Sequence, residues 1–355
     1  MHIETMDRQA FELVSKAIEF LDQYNQDRQL SFLKEAESAL QGALKRDPQY
    51  LDASYYSGVV KDLIGKPADA VPIFEEILNG LPRDGEDRRS EVEYSRGVAW
   101  YHQYSHRKLE RAKADFSAVV ERSTDPNLKL LARAGLAQTY AMWMIPTADE
   151  KTRLIQERAP EVLISIAERR TQCLQEVEFV NSKLRHRSRI ASSKSPASML
   201  SRSVKGTVLN AQGMCMMYWT DYNVLELAER EKLLREAVYY LNEADRYLPD
   251  DWANTCDIGS AHFRMGVVAK SSDADPSTEF KTAIDKFQRV IGELRPGYGF
   301  GLYERGRIYR VWGRFDEAKS SLNEALQVPV EYRDVGDENV NIELSRTEQG
   351  DSTYP

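Results

Sequence analysis

Six times along this chain, a small residue, a bulky apolar residue and a second small or branched residue fall at offsets of zero, four and seven. The triplets are Ala36, Leu40, Ala43; Ala70, Phe74, Ile77; Ala112, Phe116, Val119; Ala237, Leu241, Ala244; Ala283, Phe287, Val290; and Ala318, Leu322, Ala325. Those offsets put all three members on one face of a helix. A proline follows the last member of each triplet within four to seven residues, and proline cannot continue a helix. Any apolar helix face yields one such triplet. Six of them with terminal prolines demand a repeated unit.

The unit is clearest in Gly299 to Pro329, GFGLYERGRIYRVWGRFDEAKSSLNEALQVP. Leu302, Gly306 and Tyr309 share one face of a first helix, Gly313 breaks it, and Ala318, Leu322 and Ala325 form the second. Small residues at Gly306 and Ala318 let the two backbones approach, and Tyr309 and Leu322 fill the space left between them. Leu51 to Pro82 repeats the arrangement with Gly58, Gly65, Ala70, Phe74 and Ile77. The pattern resembles the tetratricopeptide repeat, with its small, aromatic and small positions and closing proline. The resemblance covers roughly residues 7–329. It implies an all-α, right-handed superhelical solenoid of about seven antiparallel helix hairpins, with a concave face lined by the first helices.

The expected organisation is a repeat domain over 1–330 followed by an acidic tail over 331–355. Within 127–222 the repeat is irregular. Leu131, Gly135 and Tyr140 suit a first helix, Pro146 breaks it, and a long helix from Pro160 loses the period where polar Thr171 stands in a bulky position. Ser195-Pro196 reads as an N-cap and first helical residue. The tail holds seven Asp/Glu against two Arg, and Val340, Ile342 and Leu344 alternate like a short strand. The tail is expected to fold back on the last hairpin or to dock on a partner, because the helix carrying Leu322 and Leu326 otherwise ends the array with an apolar face uncovered. Residues 346–355 are expected to be disordered.

Composition narrows the function class. Hydrophobic residues at 42% and charged residues at 29% suit a folded chain. A formal net charge of -8 argues against general nucleic-acid or anionic-membrane binding and favours protein or peptide partners. Cys173, Cys215 and Cys256 are scattered, without CxxC spacing, and read as reduced thiols. The N-terminal MHIETMDRQAF lacks a leader pattern, so the default compartment is the cytoplasm. No nucleophile elbow, Walker loop or dinucleotide fingerprint is present, no cofactor is implied, and the expectation is a non-enzymatic scaffold or adaptor. His102 and His106 lie four apart on a helix, yet no third ligand accompanies them, so no metal site is expected. Met214, Cys215, Met216, Met217, Tyr218 and Trp219 form a dense apolar run that reads as core.

Counting from the small residue of each unit predicts the groove-facing side chains. Tyr55, Tyr94, Tyr101, Phe263, Tyr303, Arg307 and Arg310 are the candidate partner contacts. In tetratricopeptide chaperone adaptors, lysine and asparagine at such positions clamp a terminal carboxylate. Tyrosine and valine stand there in the units at Gly58 and Gly97, so the clamp is not carried over. Aromatic residues with arginines at one end suit an extended or helical peptide with apolar anchors and an acidic residue near Arg307 and Arg310. The alternative use of the tyrosines is padding between neighbouring helices.

A second candidate surface is the run 183–205, with seven Lys/Arg, seven Ser and no Asp or Glu. Read functionally, it is a nucleic-acid or phosphorylation-controlled contact using Arg185, Arg187 and Arg189. Read plainly, it is a solvated loop after a helix C-terminus, and the lack of interleaved aromatics favours that reading. A third class, an enzyme within 127–222, requires a converging polar pocket there. The sequence leaves the partner's identity and the oligomeric state open.

Overall fold

The computed structural model describes residues 7–27, 29–81, 86–154, 159–187, 196–222, 225–329 and 335–354 of the 355. Every regular element among them is helical, as the triplets require. The chain divides into two compact units, Met1–Thr139 and Tyr140–Pro355.

In the first unit, α1 (Arg8–Asp27) packs on α2 (Leu30–Arg46), α3 (Leu51–Leu63) on α4 (Pro67–Gly80), and α5 (Glu86–Tyr101) on α6 (His106–Arg122). Contacts of α2 with α3 and of α4 with α5 stack one hairpin on the next. Helix α7 (Pro126–Met142) follows. The second unit contains α8 (Ala148–Thr152), α9 (Pro160–Arg187), α10 (Pro196–Trp219), α11 (Leu227–Asp245), α12 (Trp252–Ser271), α13 (Ser277–Arg289), α14 (Gly299–Trp312), α15 (Phe315–Gln327) and α16 (Asp337–Glu348). There α10 pairs with α11, α12 with α13 and α14 with α15, and α16 lies on α15.

The repeated triplets are the core of each hairpin. Ala36, Ala70, Ala112, Ala237, Ala283 and Ala318 are all fully buried, and their bulky partners Leu40, Phe74, Phe116, Leu241, Phe287 and Leu322 are at most 1% exposed. Five of these six bulky side chains, all but Leu40, fill the notch left by a glycine on a facing first helix. A methyl group at Gly58 would stand 2.7 Å from Phe74, and one at Gly306 would stand 2.7 Å from Leu322. Phe116 fills two such notches, at Gly97 on α5 and Gly135 on α7. Interiors packed to this density leave little freedom of substitution.

The irregular stretch has a local cause. Where the α9 periodicity calls for a bulky apolar residue, Thr171 faces solvent and its hydroxyl donates to the Ala167 carbonyl at 2.9 Å. The buried face runs instead through Val162, Ile166, Cys173, Val177 and Val180. Between Ile166 and Cys173, Arg169 turns to the Trp143 carbonyl (2.8 Å) and to Glu150 (2.9 Å), a polar anchor inside an apolar stripe. Pro196 opens α10 as expected, while Ser195 lies outside the described residues. Met214, Cys215 and Met217 are fully buried, so that run is core.

The tail departs from its sequence reading. Residues Asp337–Glu348 form a helix rather than a strand, with Val340, Glu343 and Thr347 buried at helical spacing and Ile342 half exposed. Val340 packs with Leu302, Leu322 and Ala325, covering the end face of the last hairpin. Gly350 then turns the chain in the left-handed region (φ +67°). The Asp351 amide bonds back to the Arg346 carbonyl and the Gly350 amide to that of Thr347, the double bond of a glycine helix stop. Residues 351–354, expected to be disordered, are held in place against α12 and α14.

Candidate functional site

In the first unit, the predicted contact residues turn largely toward their own hairpins. Tyr55 tilts against Phe74 (6.1 Å between ring centres), and its hydroxyl shares a 3.0 Å hydrogen bond with Ser95. Arg88 stacks over the Tyr55 ring at 4.6 Å and pairs with Asp52. Tyr94 tilts against Phe116 at 5.7 Å. Burial pushes both phenols above their ordinary range. Tyr101 is buried beside Tyr104 and His102, and His102 Nδ1 lies 2.9 Å from Asp62. Among the described residues, no group of three or more His, Cys, Asp or Glu side chains gathers as a metal site.

The second unit brings its predicted residues together. Phe263 on α12 and Tyr303, Arg307 and Arg310 on α14 meet at one face of the first helices, and Glu343 and Arg346 of α16 wall it. Arg307 stacks 5.6 Å from both Phe263 and Tyr303, and its Nη1 donates to Glu304 at 2.6 Å. Burial opposes the charge on Arg307, yet Glu304, Tyr303, Tyr354 and Glu343 together more than offset it, so the guanidinium stays firmly protonated. Arg310 is fully buried, and its Nε donates to Glu343 at 2.5 Å. Its Nη2 has no acceptor among the described residues. A buried donor in that condition costs about 1–3 kcal/mol.

Residues Asp351 to Tyr354 of the same chain lie on this face. Arg310 Nη1 donates to the carbonyls of Asp351 (2.6 Å) and Thr353 (2.8 Å). Lys270 Nζ donates to the Ser352 carbonyl (2.9 Å) and, within α14, to the Val311 carbonyl (2.7 Å). Arg346 Nη2 reaches the Thr353 carbonyl at 3.0 Å. The Tyr354 ring stands edge-on to Phe263 at 5.4 Å and 87°, with Arg307 at 5.8 Å from its centre. Burial and the nearby Asp221 carboxylate push the Tyr354 phenol upward. Asp221 is itself held by Arg264 through two bonds of 2.7 and 2.6 Å.

Sequence reasoning placed Phe263, Arg307 and Arg310 on the face but missed Lys270, Arg264 and Arg346. Lys270 follows Phe263 by seven residues and so shares its face, a signal that was available. Arg264 carries no such mark, because its partner Asp221 is forty-three residues away, and Arg346 carries none because its partners lie in a tail whose sequence did not announce a helix. In the basic run, Arg185 is exposed on α9, whereas Arg189 and the side chain of Arg187 lie outside the described residues. Lys183 lies 5.4 Å from the centre of the Phe179 ring, and Lys205 donates to the Tyr247 hydroxyl at 2.7 Å. The irregular stretch shows a shallow depression lined by Ile164, Ala167, Glu168, Thr171, Gln172 and Gln175, all on α9 alone. No helix among the described residues is long and apolar enough to cross a membrane.

No family model matches the sequence, and no curated protein matches it. Among solved structures, the chain is similar to a tetratricopeptide repeat protein from Parabacteroides merdae, at 13% identity and a TM-score of 0.44, covering 96% of this chain and 100% of that one. It is also similar to the human IFIT1 dimer with PPP-AAAA, at 16% identity and a TM-score of 0.39, covering 98% of this chain and 82% of that one. A third is the TPR2AB-domain:pHSP90 complex of yeast Sti1, at 12% identity and a TM-score of 0.30, covering 97% and 98%. At these values the likeness carries nothing about ligands.

Proposed function

We propose that this chain, a set of tetratricopeptide-like hairpins, is a non-enzymatic scaffold that captures an extended segment of a partner protein on the first-helix face of its second unit. The observation that carries the reading is Asp351–Tyr354 lying on that face as a peptide ligand would. Three cationic side chains, Lys270, Arg310 and Arg346, donate to three successive backbone carbonyls. Backbone capture of this kind holds any extended segment, and the aromatic pocket at Phe263 sets its register. The groove residues on this reading are Phe263, Tyr303, Arg307 and Arg310, with Lys270 and Arg346 added.

The test uses the full-length Tyr354→Ala chain, in which the aromatic anchor of the resident segment is gone while the helices are untouched. A labelled heptapeptide with the sequence of residues 349–355 should bind it saturably. The unaltered chain should bind at least about tenfold more weakly, because its own tethered segment competes at an effective concentration on the order of mM. Absence of peptide binding to the folded variant, at any concentration up to mM, overturns the reading.

A further inference from the structure

We infer that the partner segment carries the pattern Asp-x-Thr-Tyr, which the chain itself places in the groove, and that it binds by displacing Asp351–Tyr354. The inference rests on the peptide-groove reading and adds which peptide. Each position of the resident segment shows what the groove selects by side chain and what it holds by backbone alone.

The aspartate is selected by Arg346 and also shapes the segment's own turn. Asp351 Oδ2 accepts from Arg346 Nε at 2.8 Å, and Oδ1 accepts from the Thr353 amide (2.8 Å) and hydroxyl (2.7 Å). These bonds close the segment into a side-chain-capped turn before it meets α14. The hydrogen bonds from Thr353, with Arg346 adding to them, hold the Asp351 carboxyl well below the usual range. The threonine hydroxyl both donates to Asp351 and accepts from Arg346 Nη2 at 2.9 Å, so valine in its place breaks two contacts. The hydroxyl of the intervening serine accepts from the Lys270 ammonium at 3.1 Å, but the same ammonium stays bound to the Ser352 carbonyl at 2.9 Å without it, so this side chain adds least. The tyrosine presents a ring to Phe263 and a phenol to a surround that includes Asp221, Arg264, Arg307 and Glu304.

The resident segment leaves a demand unmet. Arg310 Nη2 is buried without an acceptor among the described residues while Nε and Nη1 are fully used. A partner segment that supplies an acceptor there has an advantage to set against the tether of the resident one.

The experiment selects binders from a random heptapeptide library on the full-length Tyr354→Ala chain, whose fold is checked by circular dichroism. It then measures synthetic Gln-Gly-Asp-Ser-Thr-Tyr-Pro and its single replacements by anisotropy. The expected result is enrichment of aspartate three residues, and threonine one residue, before a tyrosine. Replacing the peptide's aspartate by alanine or its threonine by valine should weaken binding at least about tenfold each, as loss of charge-assisted hydrogen bonds predicts. Replacing its serine by alanine should change affinity less than threefold. Selection of aromatic peptides with no aspartate or threonine preference overturns the inference and leaves the groove reading standing. Failure to select or bind any peptide overturns both.

Discussion

Arg310 of α14 and Glu343 of α16 form a buried ion pair, Nε to Oε2 at 2.5 Å, that fastens the tail helix to the last hairpin. The Arg310 side chain is fully covered and that of Glu343 only 6% exposed, so removing either partner strands a charge away from water. Replacing Glu343 by Ala should therefore cost about 3–5 kcal/mol. The loss should be local. Hydrogen exchange followed by mass spectrometry should show α16 opening before α14, and Glu343→Gln should lose less, because its amide oxygen still accepts from Arg310.

Gly306 and Leu322 give a prediction with a change of sign. In the unaltered chain, Gly306→Ala places a methyl 2.7 Å from Leu322 Cγ and should destabilise by about 1–3 kcal/mol. Leu322→Ala alone should cost about 2–5 kcal/mol. With Leu322 already shortened only the Ala318 carbonyl oxygen stays close, at 3.3 Å, and once it shifts by a few tenths of an ångström Gly306→Ala should stabilise by up to about 1 kcal/mol through helix propensity. Denaturant melts of the four proteins check the cycle. A Gly306→Ala cost as large in the Leu322→Ala background as in the unaltered chain would show that the two residues do not share the space.

Asp257 predicts how stability depends on pH. Burial raises its carboxyl to about 7, against the opposing hydrogen bond from Asn210 Nδ2 at 2.8 Å. Asp251 adds to the rise and Arg264 resists it. The unfolded chain releases this proton near 3.9. Between these values the folded state holds the extra proton, so stability falls as pH rises from about 4 to 7, by up to about 1.4 kcal/mol per unit, and is flat above. Asp257→Asn should remove this component. Denaturation at pH 5 and pH 8 should show the variant gaining about 2–3 kcal/mol relative to the unaltered chain at the higher pH.

The hairpins were legible because each rests on a local rule. A triplet such as Ala318, Leu322 and Ala325 states its buried face within eight residues, and the glycine it packs on precedes it by about a dozen. Arg307 and Arg310 were legible as face residues for the same reason. Their partners were not. Glu343 is a carboxylate on the buried side of α16, where it breaks the apolar periodicity that would have announced a helix. Arg310, thirty-three residues earlier, makes its burial tolerable, with Arg307 at 3.8 Å and Arg346 at 3.7 Å adding to the pairing. Val340, Ile342 and Leu344 thus imitate a strand, although Ile342 faces outward. Tyr354 likewise gives no sign in sequence that it meets Phe263, ninety-one residues away.

The contact between Phe263 and Tyr354 tests the account most directly. In the full-length chain with selectively labelled phenylalanine and tyrosine, the edge-on rings at 5.4 Å should give a nuclear Overhauser effect at neutral pH. Excess free heptapeptide of residues 349–355 should abolish it without unfolding the chain, as one segment replaces the other in the groove. A contact that is absent from the start, or that survives saturating peptide, would contradict a groove built to exchange its own segment for a partner's.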